Sequence, residues 1–294
     1  HVSRAHPVKK FSSAIIAGYI FILNCLPQLQ AQSPIQNGIH TLYLPDAVEK
    51  QSKTIPVDIF IGDSNYQKNI LVLPGWNFSR KRWIQETSLQ QEALKRHYNL
   101  ILPEMGITIY ESKYFNETKR KWAKTPGSEW IKTILIPEMQ KRGLLLSHQF
   151  NAVMGLSTGG RGAVLTALYN KQIFKACASL SGDYNQATMS NDKLMTATYG
   201  PYSQFKDRWA KEDNPYFMID GWNIPLYLGH GTKDTVVPFD QTKAFYEKLK
   251  SQKPDITIIF HQCEFGHDFK YWSSEVVPIL HFFDAIYEHA GEQQ

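Results

Sequence analysis

Cysteine is scarce in this sequence, which has three among its 294 residues. Small disulfide-stapled modules need a far higher share, so that class of protein is excluded. The sequence also lacks an HExxH metalloprotease motif, a CxxC pair and a GxxxxGK[ST] phosphate loop. Hydrophobic residues make up 43% of the chain and charged residues 20%. That much apolar surface can offset the entropy lost on ordering the chain, so a disordered or low-complexity protein is excluded as well.

Two of the cysteines, Cys177 and Cys263, lie in strand-like apolar runs and outside any redox or catalytic signature. This setting predicts two buried free thiols, and a disulfide between them in an oxidising compartment is the alternative. The third, Cys25, follows Asn24 at the end of an apolar run, and a lipoprotein anchor at this cysteine is kept as an alternative. Asn24 matches poorly the small residue that such an anchor site needs.

The first 31 residues have the three parts of a secretory signal peptide. Three basic residues lie within 1–10, an apolar run covers 11–26, and a small residue, Ala31, follows. This pattern predicts a cleaved segment over 1–31 and a secreted or periplasmic protein. The apolar run is short for a transmembrane helix, and an uncleaved membrane anchor is the alternative.

Most of the excess positive charge lies in this segment. Without residues 1–31 the chain loses three of its 32 basic residues and none of its 27 acidic ones, so the net charge falls from +5 to +2. The remaining basic clusters, at 80–82 and 119–121, are short and are interpreted as solvated faces. We therefore expect no nucleic-acid partner, and no stable membrane insertion once the segment is removed.

Short apolar runs alternate with amphipathic stretches along the rest of the chain. Strands are predicted at 39–44, 55–61, 69–73, 99–102, 150–154, 174–180, 224–228 and 256–261. Helices are predicted at 83–97, 129–142, 161–170, 239–250 and 273–289. This alternation indicates parallel βαβ units, and the continuous apolar character of the later strands indicates helices on both faces of the sheet. The predicted fold class is α/β with a mostly parallel, doubly wound sheet, in one domain over 32–294 with insertions near 110–126 and 183–222.

A G-x-S-x-G pattern, residues 155–159, lies between a predicted strand and a predicted helix. That setting is typical of a nucleophile elbow, in which a sharp turn projects a serine hydroxyl above the carboxyl end of a strand. Glycines are needed because side chains on either side of Ser157 would collide with the strand and the helix. Ser157 is therefore the predicted nucleophile, and a glycine-rich turn without catalysis is the alternative.

A serine hydroxyl needs a base within hydrogen-bond reach, and the base needs an acid that orients it. In this kind of fold the order along the chain is serine, acid, histidine. Asp234 follows the predicted strand 224–228, and His267 follows the predicted strand 256–261. Because catalytic groups collect at the carboxyl ends of parallel strands, Asp234 is the predicted acid and His267 the predicted base.

Other acidic and histidine side chains near these loops are weaker candidates. His230 precedes Asp234 and is expected to support the acid loop by packing or a hydrogen bond. His261 lies inside a strand pattern and is interpreted as a core histidine. Asp268 follows the base directly, and adjacent residues usually point apart. Asp240 and Glu264 remain the alternative acids.

Acyl transfer also needs N–H donors for the oxyanion. The backbone N–H of Thr158 is the first predicted donor, because it follows the nucleophile. The second is expected from the loop 73–77, where Gly75 allows close approach of the backbone. The N–H of Trp76 is preferred and that of Asn77 comes second, while an ordinary turn at this loop is the alternative.

Three tryptophans, Trp122, Trp209 and Trp222, lie in or beside the two predicted insertions. They are candidate substrate-binding residues that could stack on a sugar or an aromatic acyl group. The alternative is that they form the small core of a lid.

The sequence resembles the α/β-hydrolase superfamily, and most of all its esterase branch, which includes esterase D, feruloyl esterases and mycolyltransferases. The resemblance covers roughly residues 55–290. It implies an α/β-hydrolase fold in which Ser157, Asp234 and His267 form the catalytic triad, with no metal and no organic cofactor. The matching segments are 155–163, 174–182, 229–238 and 266–272.

These observations predict a secreted serine esterase that hydrolyses carboxylic esters through an acyl-enzyme. The expected partner is a small-molecule or carbohydrate ester, and an acylated carbohydrate is the favoured substrate. One alternative is an acyltransferase or a peptidase that uses the same triad. The other is a non-catalytic carbohydrate-binding protein on a hydrolase-like scaffold.

Overall fold

The computed structural model describes residues 37–49, 53–62 and 67–291. The predicted signal peptide and the alternative lipid site at Cys25 lie outside the described residues. No helix in the described part of the chain is both long enough and apolar enough to cross a membrane.

Eight strands of the described residues form one sheet in the order β1-β2-β4-β3-β5-β6-β7-β8. Strand β2 pairs antiparallel with β1 and β4, and every other pairing in the sheet is parallel. The strands are β1 (Gly38–Pro45), β2 (Thr54–Ile61), β3 (Lys68–Leu73), β4 (Tyr98–Pro103), β5 (Phe150–Leu156), β6 (Ala176–Leu180), β7 (Leu226–Gly231) and β8 (Ile258–Cys263).

Helices connect these strands and flank the sheet. A π-helical segment, Ile131–Leu135, joins two short helices into one continuous helix over 127–140, close to the predicted 129–142. The α-helices are α1 (Arg82–Glu86), α2 (Leu89–Lys95), α3 (Gly127–Trp130), α4 (Ile136–Gln140), α5 (Thr158–Tyr169), α6 (Lys193–Tyr199), α7 (Lys206–Lys211), α8 (Phe239–Gln252) and α9 (Phe269–Gly291).

Two apolar layers cover the sheet, one on each face. Alternate residues of β3 point to opposite faces, as the two-residue period of a strand requires. Ile70 and Val72 pack in the layer that contains Trp272 of α9. Leu71 packs in the other layer, with Val164 of α5. Helices on both faces of a mostly parallel sheet confirm the predicted doubly wound α/β architecture.

Four local expectations are corrected. The predicted helix 83–97 is two helices, because the backbone of Thr87 is extended and its hydroxyl accepts a hydrogen bond from the Leu89 N–H. Strand β8 is half exposed rather than covered on both faces, because it lies at the edge of the sheet. Its His261 is therefore not a core residue, and Cys263 is only partly buried, whereas the free thiol Cys177 is buried as predicted.

Two long connections begin at carboxyl ends of strands and lie above the sheet. We call residues 104–126, between β4 and α3, the first insertion, and residues 181–225, between β6 and β7, the second insertion. The first has no regular helix or strand among its described residues, and the second contains α6 and α7. They include the two stretches for which insertions were predicted.

Candidate active site

Ser157 lies in a sharp turn between the end of β5 and the start of α5. Its backbone has φ of 56° and ψ of −126°, a conformation that residues other than glycine seldom adopt. The Ser157 N–H donates to the Leu180 carbonyl at 2.8 Å, and its own carbonyl accepts from the N–H groups of Gly160 and Arg161. The strained residue is thus held by hydrogen bonds to β6 and to the first turn of α5.

The glycines of this turn are required by close backbone approach. A Cβ atom at Gly155 would lie 2.0 Å from the Gly159 carbonyl oxygen. A Cβ at Gly159 would lie 2.5 Å from the carbonyl oxygens of Leu73 and Pro74. The sequence predicts such collisions on either side of the serine, and the structure places them against backbone atoms, which cannot move aside easily.

A chain of hydrogen bonds links the predicted nucleophile, base and acid. His267 Nε2 lies 2.9 Å from Ser157 Oγ, and His267 Nδ1 lies 2.7 Å from Asp234 Oδ2. The Asp234 side chain is fully buried, and His267 and Ser157 are nearly so. Because an ionised carboxylate can only accept, Nδ1–H donates to Asp234, and Nε2 is left to accept the serine proton.

The loop of Asp234 holds the carboxylate in its ionised form. Burial by itself would raise the pKa of Asp234, but hydrogen bonds from His230 and His267 outweigh burial and hold that pKa well below its usual range. The N–H groups of Val236 and Val237 donate to Oδ1 at 2.8 and 2.9 Å. His230 Nε2 lies 3.1 Å from Oδ2 and its Nδ1 lies 2.6 Å from Oγ1 of Thr242, so it supports the acid loop as expected.

The imidazole of His267 also has an aromatic support that sequence reasoning missed. Trp272 packs edge-on against the ring, with centroids 5.0 Å apart, and its indole N–H donates to Ser181 Oγ at 3.1 Å. Asp268 accepts from the Tyr271 N–H at 3.0 Å, at the start of α9. Trp272 closely follows His267 in the segment GHDFKYW, residues 266–272. This short spacing is the sequence signal that could have predicted the contact.

The two predicted oxyanion donors lie at the same edge of the sheet. Neither the Thr158 N–H nor the Trp76 N–H donates to another described residue. The second-choice donor, the N–H of Asn77, is occupied, because it donates to the Gly106 carbonyl at 2.7 Å. The loop is fixed from above by Tyr110, whose hydroxyl donates to the Pro74 carbonyl at 2.7 Å. Trp76 therefore keeps its place as the predicted second donor.

The three tryptophans proposed as a stacking platform are corrected to packing residues. Trp122, Trp209 and Trp222 have exposed fractions of 6%, 0% and 2%. Trp122 packs edge-on against Trp130, and the indole N–H groups of Trp209 and Trp222 donate to backbone carbonyls. Because these rings are buried, a substrate cannot stack on them. Trp209 belongs to a small separate apolar cluster, as the lid-core alternative expects, whereas Trp122 and Trp222 belong to the main core.

Trp76 itself provides an aromatic surface beside the predicted oxyanion loop. Its partly buried side chain packs against a buried apolar group that we call the lid cluster, which consists of Ile109, Met195, Tyr199 and Trp209. Four further partly buried side chains pack against the lid cluster: Phe115, Leu194, Tyr202 and Phe205.

Arg161, in the first turn of α5, is a further residue whose role the sequence did not reveal. Its guanidinium is fully buried, and all five of its N–H groups are used. It joins the nucleophile helix to both insertions. The acceptors are the carbonyls of Ile109 and Asp213 and the side chains of Asp183, Gln186 and Tyr199.

No group of three or more His, Cys, Asp or Glu side chains within the described ranges is placed to hold a metal ion.

Comparison with known families assigns the chain. The sequence model of the prolyl oligopeptidase family, peptidase group S9, matches residues 86–289. That stretch is more than half of the chain, and it contains Ser157, Asp234 and His267. The chain belongs to the prolyl oligopeptidase family. Membership in this family confirms the prediction of a serine hydrolase.

Solved structures show the same fold at low sequence identity. The fluorophosphonate-binding serine hydrolase F of Staphylococcus aureus is 14% identical, with a TM-score of 0.65 over 85% of this chain and 99% of that one. A ferulic acid esterase is 15% identical, with a TM-score of 0.63 over 85% of this chain and 98% of that one. The acylaminoacyl peptidase of Pyrococcus horikoshii is 13% identical, with a TM-score of 0.63 over 85% of this chain and 42% of that one. These structures confirm the predicted α/β-hydrolase fold.

Proposed function

We propose that this protein is a serine esterase that hydrolyses carboxylic esters through an acyl-enzyme on Ser157. One observation carries the proposal. Ser157 Oγ, His267 and Asp234 form a continuous hydrogen-bonded chain, with distances of 2.9 and 2.7 Å, at a strained strand–helix turn. Nucleophile, base and orienting acid are the groups that acyl transfer needs.

In the first half of the proposed reaction, Ser157 Oγ attacks the ester carbonyl carbon while His267 Nε2 takes its proton. Asp234 stabilises the imidazolium that forms, because its carboxylate is ionised and already bonded to Nδ1–H. The N–H groups of Thr158 and Trp76 hold the negative oxygen of the tetrahedral intermediate. His267 then returns the proton to the leaving alcohol, and the acyl group remains on Ser157.

In the second half, water replaces the alcohol. His267 Nε2 takes a proton from the water as its oxygen attacks the acyl carbon. The tetrahedral intermediate collapses, the bond to Ser157 Oγ breaks, and the serine recovers its proton from His267. The acid product leaves, and the hydrogen-bonded chain is restored.

The proposed substrate class is an acylated carbohydrate that the enzyme meets outside the cytoplasm. Support comes from the predicted signal peptide over 1–31, from the partly buried indole of Trp76 beside the predicted oxyanion loop, and from the fold shared with a ferulic acid esterase. Hydrolysis rates measured on acetyl, butyryl and feruloyl sugar esters show which acyl group the enzyme prefers. Secretion predicts that the extracellular or periplasmic form starts after Ala31, which N-terminal sequencing of that fraction checks.

A fluorophosphonate probe tests the proposed nucleophile. The wild-type protein should be labelled on Ser157 and should hydrolyse a short p-nitrophenyl ester, and Ser157→Ala should lose both properties. Ser251→Ala is the matched control, because Ser251 is an exposed serine of α8. Labelling that persists in Ser157→Ala contradicts the assignment.

A peptidase is the second candidate, because the family to which this chain belongs is named for prolyl oligopeptidases. The same side chains could cleave an amide by the same steps. A matched pair of substrates with one acyl group, an ester and an anilide, separates the two. The proposed esterase should have a kcat/KM for the ester that exceeds its kcat/KM for the anilide by far more than the difference in intrinsic reactivity of the two bonds. An equal or higher kcat/KM for the anilide favours the peptidase.

A further inference from the structure

A cavity of about 820 Å³ lies between the end of the first insertion and the start of α6. Its volume is that of a site for a small ligand. Lys119 and Arg120 line it from the first insertion, and Lys193 lines it from α6. The segment 119–121 was interpreted from the sequence as a solvated face, and its side chains are indeed exposed. Two of them, Lys119 and Arg120, also border this open cavity.

The wall is held in place by hydrogen bonds between the insertions. The Lys119 N–H donates to the Ala197 carbonyl at 2.8 Å. The hydroxyl of Thr118 donates to the Thr198 carbonyl at 2.8 Å. These bonds fix the backbone that carries Lys119 and Arg120 against α6, so the three cations face one space.

The cavity has a strong excess of positive charge. No acidic residue lines it, and none of the three cations makes an ion pair with a described residue. The nearest carboxylates along the chain are occupied. Asp192 accepts from the N–H groups of Leu194 and Met195, and Glu117 pairs with Arg208 at 2.7 Å. Three such cations around one space favour an anion there.

The remaining lining fits a sugar. Ser190, Asn191, Thr196 and Ser203 present hydroxyl and amide groups, and the partly buried ring of Tyr202 forms an apolar part of the wall. Hydroxyl and amide groups hydrogen-bond to sugar hydroxyls, and an aromatic ring packs against the apolar face of a sugar.

The cavity and the predicted oxyanion loop border the same buried apolar cluster. Leu194 and Tyr202 line the cavity and pack against the lid cluster. Trp76 packs against the same cluster, and its N–H is the predicted second oxyanion donor. The lid cluster is therefore the packing element that the cavity and the candidate active site share.

We propose that this cavity is a subsite for an anionic group on the alcohol part of the substrate, so that the enzyme prefers esters of acidic carbohydrates. The inference rests on the proposed hydrolysis of esters at Ser157. A carboxylate, as in a sugar acid, and a sulfate ester offer the same oxygen acceptors to lysine and arginine.

The test compares O-acetyl glucuronic acid and O-acetyl glucose 6-sulfate with O-acetyl glucose as the neutral ester. The wild-type enzyme should have a higher kcat/KM for an acidic ester, through a lower KM, and added salt should reduce the advantage. In the triple variant Lys119→Gln, Arg120→Gln, Lys193→Gln, the ratio of kcat/KM for the acidic ester to that for the neutral ester should fall about tenfold or more. The response of each anion shows whether carboxylate or sulfate fits better.

The matched control is Lys132→Gln, Lys243→Gln, Lys250→Gln, which removes the same charge from exposed lysines outside the cavity. This control should leave the ratio unchanged. A ratio that is near one in the wild type, or that falls equally in the two triple variants, overturns the proposed subsite.

A binding measurement keeps the subsite separate from the proposed reaction. Ser157→Ala should bind glucuronic acid more tightly than glucose in equilibrium dialysis, and the cavity variant in that background should lose the difference. Binding of glucuronic acid no tighter than glucose overturns the subsite even if the esterase is active. Absence of hydrolysis and of fluorophosphonate labelling in the wild type overturns the proposed function instead.

Discussion

The turn that carries Ser157 and the second insertion above it lie at the same edge of the sheet, yet different interactions hold them. The turn is held by backbone atoms in close contact, where a single methyl group would collide. The second insertion is held by polar side chains that converge on the buried guanidinium of Arg161. One region therefore depends on the absence of side chains, and the other on a hydrogen-bonded network of them.

The difference teaches where variation can be tolerated. Backbone contacts fix the nucleophile whatever the surrounding side chains are, provided that the glycines stay. The second insertion can change its surface residues, because its position depends on a few buried partners such as Asp183 and Tyr199. The residues of the turn and the surface residues of the second insertion are thus under separate structural constraints.

The largest effect is expected from a methyl group in the turn. Gly155→Ala places a Cβ atom 2.0 Å from the Gly159 carbonyl oxygen, where neither backbone can give way cheaply. We expect a loss of about 4 kcal/mol or more in the free energy of unfolding, or no folded protein. Urea unfolding measures the loss, and Gly291→Ala, where a Cβ meets nothing within 4 Å, is the control. A fully active, stable Gly155→Ala protein would show that the turn is not tightly packed.

Removal of the acid's charge should leave a folded protein and greatly reduce the catalytic rate. Asp234→Asn keeps the shape of the loop but no longer orients and stabilises His267 as an anion. We expect kcat on a p-nitrophenyl ester to fall about 10⁴-fold, as for the acid of other Ser-His-Asp triads. His230→Gln removes the imidazole contacts to Asp234 and Thr242 but keeps the bond between Asp234 and His267, so its kcat should fall much less. Equal losses in the two variants would move the role of Asp234 from catalysis to support of the loop.

Breaking the network of the second insertion should destabilise it without touching the nucleophile. Arg161→Met leaves the buried carboxylate of Asp183 without its partner at 2.9 Å. We expect a loss of about 3–5 kcal/mol in the free energy of unfolding. Arg161→Met, Asp183→Asn together should be less destabilised than the sum of the two single changes, because they remove both charges. Additive losses would show that the pair does not act as a unit.

Acid should weaken the fold partly through the acid loop. Because the pKa of Asp234 is held below its usual range in the folded protein, the ionised carboxylate adds stability above an unfolded-state pKa of about 3.9, and that contribution is lost as pH falls further. The stability difference between the wild type and Asp234→Asn should therefore be constant near pH 6 and shrink below about pH 4. Urea unfolding at several pH values measures this difference. A difference that does not shrink between about pH 4 and about pH 2 would show that ionisation of Asp234 is not its source.

The smallest effect is expected on the outer surface of the second insertion. Lys211 pairs with Asp207 one helical turn away, and their side chains are 73% and 88% exposed. Lys211→Ala should change the free energy of unfolding by less than about 0.5 kcal/mol. Compared with Arg161→Met, this variant shows how unequally buried and exposed charged residues contribute to the free energy of unfolding. A loss comparable to that of Arg161→Met would contradict the description of the insertion as held from inside.

Much of the fold could be predicted because its signals are local. Each of the eight predicted strands has a counterpart in the sheet, since a run of buried residues in a parallel sheet is apolar throughout. The helix predicted over 83–97 was wrong in its middle, because periodicity does not register a single extended residue such as Thr87. Strand β8 was expected to be covered on both faces, because an apolar run does not reveal that it lies at the edge of the sheet.

The candidate site also has some residues that the sequence could place and others that it could not. Ser157, Asp234 and His267 could be placed in order because each follows a strand, and carboxyl ends of parallel strands share one edge. The tryptophans of the insertions could not be assigned, because an aromatic residue in an irregular segment is equally suited to a lid core or an open wall. The cavity cations could not be assigned either, since Lys119 and Lys193 are far apart in the sequence and meet only through the contact between the first insertion and α6.

By itself the sequence determined the order of strands and helices, the glycine turn around Ser157 and the chemical identity of its partners, because these depend on neighbouring residues. Only the tertiary structure decided that His267 stands 2.9 Å from a serine 110 positions away. It also decided that Arg161 is buried among acceptors from both insertions and that Trp76, not Trp209, remains partly open. Such contacts join distant segments, and their geometry depends on how all the layers pack together.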